Sequence, residues 1–123
     1  MERAGHTQVF TVKCEETIGH VIEKMRAFGV SQLPVTNSKG ALLGLVEEVN
    51  VLKMMLDANG TDITNIAIQD TKLISATPTV TPNTSLEALM ALFNQHAVAV
   101  VQEGGQIVDI VTKIDLIDFL ARR

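Results

Sequence analysis

The sequence predicts an α/β fold built twice, as two similar units that each combine a small sheet with two helices. Three observations predict it. First, Gly105–Leu120 (GQIVDIVTKIDLIDFL) changes period part-way. Ile107, Ile110 and Val111 form a short β-branched run that suits a buried strand, whereas Ile114, Ile117 and Ala121, with Leu116 and Leu120, fall at helical spacing. Second, Leu33–Met55 aligns with Val98–Leu120 without a gap at an offset of 65, so that Val35 meets Val100, Gly40 meets Gly105, Val46 meets Val111 and Asn50 meets Asp115. Third, Val12–Met25 aligns with Val80–Phe93 at an offset of 68, which leaves the second copy three residues shorter between its first helix and its central strand. Each copy then reads extended segment, helix, strand, turn, strand, helix. Two units with matching apolar patterns are expected to pack about a pseudo-twofold axis.

The elements follow in order. Met1–Thr7 is polar and carries no clear signal. Val9–Val12 is extended. Glu15, Glu16 and Thr17 precede Ile18, Val21, Ile22 and Met25, a helix whose first-turn acids suit its dipole and which ends at Gly29. Val30–Val35 is a strand, Asn37–Gly40 a turn and Leu42–Val46 the returning strand. Glu47–Leu56 is a helix with Val49, Leu52, Met55 and Leu56 on one stripe, and Asn59-Gly60 stops it. Thr61–Thr71 is a connector with a short helical turn expected around Asp62–Ile66. Pro78 and Pro82 keep Leu73–Val80 extended. Leu86–Gln95 is a helix with Leu86, Leu89, Met90 and Phe93 inward. Val98–Val101 is a strand, followed by a turn at Glu103–Gly105. The expected division is residues 1–60 for the first repeat with its N-terminal segment and 61–123 for the second with the connector, in one compact module.

Composition excludes several functions. Aromatics are 3% of 123 residues, with no Trp or Tyr, so the core must be aliphatic and stacking platforms for single-stranded nucleic acid are absent. A formal charge of −4 and no Lys/Arg cluster argue against duplex binding. No apolar run approaches membrane-spanning length and no signal peptide opens the chain. One cysteine allows no disulfide framework, which suits a reducing compartment such as the cytoplasm. Cys14 has no base at recognisable spacing, His20 and His96 belong to different repeats, and the histidines show no metal-ligand pattern. The pairs Glu15–Glu16 and Glu47–Glu48 each open a helix, so dipole compensation explains them better than acid–base work. Neither a phosphate loop nor a dinucleotide fingerprint is present. An enzyme is not expected.

One place remains for chemistry. Thr112 and Asp115 stand three residues apart at a helix N-terminus, where free N–H groups and the positive dipole end converge. Taken alone, Thr-x-x-Asp equally fits a capping box.

With the SQLPV strand, the NSKG turn, LLGLV before a helix, and IVTKIDLIDFL in the second copy, nearly the whole chain resembles a pair of cystathionine-β-synthase (CBS) domains, or Bateman module. Its ending is most similar to the C-terminal regulatory region of cystathionine β-synthases. That resemblance implies a site of pattern Gly-h-h-Thr/Ser-x-x-Asp, with h apolar, in which Asp accepts from ribose hydroxyls and Thr or Ser contacts ribose or phosphate. Here it implies Thr112 and Asp115. It also implies Val30, Gln32 and Leu33, whose backbone would read an adenine edge, and Ile110 and Ile114, which with Val30 would sandwich the ring. The leading glycine is replaced by Asp109. In the first copy Glu47 and Asn50 replace the hydroxyl and the carboxylate, so one working site is expected. Only Lys113 and His96 offer positive charge near it and S-adenosylmethionine needs no basic cluster, which together with the similarity to cystathionine β-synthases puts S-adenosylmethionine ahead of AMP or ATP. The resemblance further implies an adenosyl effector, a homodimer through helix faces bearing Met54, Met55, Phe119 and Leu120, and regulation of a pyridoxal-phosphate catalytic domain or partner enzyme, which is not encoded here. The competing reading is a module that pairs subunits and binds nothing small.

Overall fold

The computed structural model describes residues 9–122, so the expectation for Met1–Thr7 lies outside the described residues. Phe10–Ala76 forms one compact unit and Thr77 onward another. Each holds a three-stranded mixed sheet with helices, as the α/β expectation requires.

In the first unit, β1 (Val12–Lys13) runs parallel to β2 (Gln32–Thr36), which pairs antiparallel with β3 (Leu42–Glu47). The β2–β3 connection is tight because the Asn37 side chain accepts from the N–H groups of Lys39 (2.9 Å) and Ala41 (3.0 Å), while Gly40 takes φ 84°. Between β1 and β2 lies α1 (Ile18–Phe28). Thr17 caps it by accepting from His20 N–H at 3.2 Å, and Gly29 closes it in the left-handed region at φ 65°. Ile18, Val21 and Met25 face the core at helical spacing. The structure corrects one expectation here: Glu15 and Glu16 precede the cap and lie outside the first turn. Glu16 instead accepts from Lys13 N–H at 2.7 Å and pairs with His20 and with Lys24, at 3.4 Å from the ammonium. It ties β1 to α1.

The helix α2 (Glu48–Asp57) buries Val51, and Met54 packs against the core. The stripe of Val49, Leu52, Met55 and Leu56 faces the other way and is 41–70% exposed. The connector belongs to this unit by packing. Ile68 and Leu73 sit in its core, and Ile18 and Gly19 donate to the carbonyls of Ile66 and Thr64 at 2.9 Å. The helical turn expected around Asp62–Ile66 lies instead at Ile68–Asp70 as a 3₁₀ turn. Asp62 is occupied earlier, accepting from both the N–H and the hydroxyl of Thr64, and it is the buried Ile68 that needs a tight turn to reach the core.

The second unit repeats the plan. β4 (Thr79–Val80) is parallel to β5 (Val98–Glu103), β5 is antiparallel to β6 (Gln106–Thr112), α3 (Leu86–Phe93) lies between β4 and β5, and α4 (Lys113–Ala121) follows β6. Ser85 caps α3 by accepting from Ala88 N–H at 3.2 Å, as Thr17 caps α1. The symmetry reaches an irregularity: both hairpins carry a one-residue bulge, at Leu43 and at Val108, and both residues are exposed. Leu89 and Phe93 are buried and Leu86 packs beside them, but Met90, expected inward, is half exposed. It falls just past the line of Leu86, Leu89 and Phe93, and a short helix on a narrow sheet buries only that line. Likewise α4 buries Leu116 and leaves Ile114, Ile117, Phe119 and Leu120 exposed.

Candidate functional site

The β6–α4 junction brings the sequence-predicted polar pair together. Val98 pairs with Thr112 across the sheet, which ends β6 there. The backbone of Thr112 stays extended (φ −119°, ψ 173°), so it becomes the N-cap of α4. Asp115, three residues on, turns back: its Oδ2 accepts from the Thr112 N–H at 2.8 Å and from the Thr112 hydroxyl at 3.0 Å. Both halves of a capping box are present. The capping alternative is therefore real in this structure, and a ligand at Asp115 would join or displace these bonds.

Thr112 and Asp115 are half-buried, Ile110 is half-buried on β6, and Ile114 is 59% exposed on the first turn of α4. One junction thus presents a hydroxyl, a carboxylate and two branched apolar side chains. Asp109, standing where the leading glycine was expected, folds its carboxylate onto the Ile110 N–H at 2.8 Å. Lys113 is exposed on the same turn.

The first-repeat residues implied by the resemblance lie at the entry to β2. Val30 follows Gly29 and donates to the Met25 carbonyl at 3.1 Å. Gln32 opens β2 opposite Glu47, and its side-chain oxygen accepts from the Ser31 hydroxyl at 2.9 Å. The Leu33 side chain is spent in the first core at 1% exposure, leaving only its backbone for contact.

The first repeat's own β3–α2 junction differs in chemistry. Glu47 is the N-cap of α2 and makes no side-chain cap bond, Glu48 opens the first turn, and Asn50 is half-buried. No hydroxyl–carboxylate pair forms there.

Elsewhere, Cys14 is a poor nucleophile. Its thiol donates to Glu15 Oε1 at 3.0 Å, and this bond, then burial, then the Glu15 charge, hold its pKa above the ordinary thiol value. Among the described residues no group of three His, Cys, Asp or Glu is placed to hold a metal ion, and no helix is long and apolar enough to cross a membrane. Sequence reasoning missed a groove of about 390 Å³ between α1 and α2, walled by Ile22, Met25, Val51, Leu52 and Met55, with Arg26 and Glu48 on its lining. The signal was the helical spacing of Ile22 and Met25 against Val51, Leu52 and Met55.

Residues 4–57 and 69–122 each match the CBS domain. The chain is similar to cystathionine beta-synthase of Dictyostelium discoideum, at 30% identity over 115 residues, which is 91% of this chain but 23% of that protein's length. In fold it is similar to the CBS-domain containing protein of Agrobacterium tumefaciens (TM-score 0.76, 20% identity, 97% of this chain and 87% of that one). It is equally similar to a CBS domain protein of Streptococcus pneumoniae TIGR4 (TM-score 0.77, 10% identity, 97% and 82%). Two matched repeats, each folded as a three-stranded mixed sheet with helices, show that the chain belongs to the CBS-domain family as a tandem pair, a regulatory module.

Proposed function

We propose that this module senses an adenosyl compound, with S-adenosylmethionine favoured over AMP and ATP, and controls an attached or partner enzyme. The observation that carries the proposal is the Thr112–Asp115 pair on a half-exposed junction, present in one repeat and replaced by Glu47 and Asn50 in the other. In the bound state Asp115 accepts from the ribose hydroxyls and Thr112 adds a contact to the ribose. Ile110 and Ile114 flank the ring. The ligand preference is supported by charge. Phosphates bind best to cationic side chains, and the β6–α4 junction sets one lysine, Lys113, beside the carboxylates of Asp109 and Asp115. The 30% identity to a cystathionine beta-synthase makes a pyridoxal-phosphate enzyme the first partner to try, although the chain spans only 23% of that relative.

The test compares wild type with Asp115→Ala, each with S-adenosylmethionine, AMP, ATP and adenosine in excess. Ligand at about 100 times its dissociation constant stabilises by roughly 2.7 kcal/mol. Asp115→Ala is expected to weaken binding by about tenfold to a hundredfold, the loss of charge-assisted hydrogen bonds. If no melting temperature moves with any of the four, sensing fails. The apolar helix faces of α2 and α4, exposed in the single chain, then favour the second reading, a module that pairs subunits without a ligand.

A further inference from the structure

The glycine at the head of the first repeat's motif has a use unrelated to ligand. A Cβ added at Gly44 would stand 2.3 Å from the Ser75 carbonyl oxygen and 3.0 Å from the Ile74 side chain, so no other residue fits without a shift of the backbone. Ser75 is held there by its neighbour on β3. The Leu45 N–H donates to the Ser75 carbonyl at 2.8 Å, the Ser75 N–H donates to the Leu45 carbonyl at 2.9 Å, and the Ser75 hydroxyl adds a bond to the Leu45 carbonyl at 3.3 Å. Three residues after Ser75, the Pro78 carbonyl accepts from the Val100 N–H at 3.0 Å and so belongs to the second unit's sheet. Between these two anchored points lie Ala76 and Thr77.

We propose that Gly44 and Ser75 form a latch that seats the connector on the edge of β3, and that the connector is ordered as part of the first repeat as far as Ser75 only because position 44 has no side chain. The Ile74 side chain, which packs against the first core, meets the same added Cβ, so filling position 44 displaces both Ile74 and Ser75. The second repeat carries Asp109 in the matching place, where its carboxylate accepts from the Ile110 N–H. The latch holds with or without an adenosyl ligand, and its test is independent of binding.

The experiment measures amide hydrogen exchange and ¹⁵N order parameters on the full chain. In wild type the Leu45 and Ser75 amides are protected. In Gly44→Ala both lose protection, and the order parameters of Ile74 and Ser75 fall from about 0.85 to below about 0.6, while the β2–β3 ladder and α1 stay protected. Ser75→Pro removes the connector's donor without touching β3, and exposes the Leu45 amide in the same way even if Gly44→Ala unfolds the repeat. Continued protection of Leu45 and Ser75 in Gly44→Ala overturns the latch. So does a Leu45 amide in Ser75→Pro that exchanges as slowly as in wild type.

Discussion

At the scale of single residues, Asp115 has two duties. Its carboxylate completes the α4 cap, so Asp115→Ala should lower stability by about 0.5–2 kcal/mol even without ligand. For a chain of this size that is a melting shift of roughly 2–8 °C. The capping and sensing roles separate in the titration: capping alone lowers the melting temperature and leaves affinity unchanged. Asp115→Asn, which keeps an acceptor but loses the charge, should restore part of the stability and little of the affinity; equal recovery of both would mean the charge is not read. Cys14 yields a second prediction. Its folded pKa is raised, so the neutral thiol's contribution is fully present below the unfolded value of about 8.5 and is lost as pH rises through the folded value. Wild-type stability should therefore decline in mild alkali more steeply than that of Cys14→Ser. Parallel pH–melting curves from pH 7 to 10 for the two proteins would contradict this.

At the scale of elements, the two helices that follow the hairpins differ at their first turns. The helix α4 has a capping box, whereas α2 begins at Glu47 with no side-chain cap bond. Glu47→Thr combined with Asn50→Asp copies the second repeat's chemistry into the first. It should stabilise α2 by about 0.5–2 kcal/mol, read as a higher denaturant midpoint at unchanged slope. The same pair of changes probes the site: calorimetry on wild type with S-adenosylmethionine should give about one ligand per chain. A wild-type stoichiometry near two would show that Glu47 and Asn50 do not silence the first junction. The hairpins are the best determined elements. Their turns are written in Asn37, Gly40, Gly104 and Gly105, and their bulges at Leu43 and Val108 repeat at the offset of 65.

At the scale of the whole molecule, each helix carries apolar residues on more than one face, and a three-stranded sheet covers only one. Val49, Leu52, Met55, Ile114, Ile117 and Phe119 remain exposed in the single chain. A second copy is the proposed cover, across an interface of roughly 1,000 Å² or more. Sedimentation at micromolar concentration should show about twice the 13.3 kDa chain mass. Leu52→Asp together with Ile117→Asp should return the monomer with its far-ultraviolet spectrum intact. Wild type that stays monomeric at about 100 µM removes the homodimer from the proposal.

By itself the sequence determined the repeats and the class of the main strands and helices. These rest on local signals: the change of period at Thr112 and glycines where the backbone turns left-handed. It also marked Thr112 and Asp115, because a hydroxyl and a carboxylate three residues apart at a helix start can meet without help from the rest of the chain. Only the tertiary structure decided which apolar face each helix buries, since Val49 and Val51 are equally hydrophobic in sequence and the sheet chooses between them. Tertiary structure alone also placed Ile68 and Leu73 in the first core and Ser75 against Gly44. The Ser75 contacts join residues 30 or more positions apart, and no local periodicity encodes which edge strand a connector will meet.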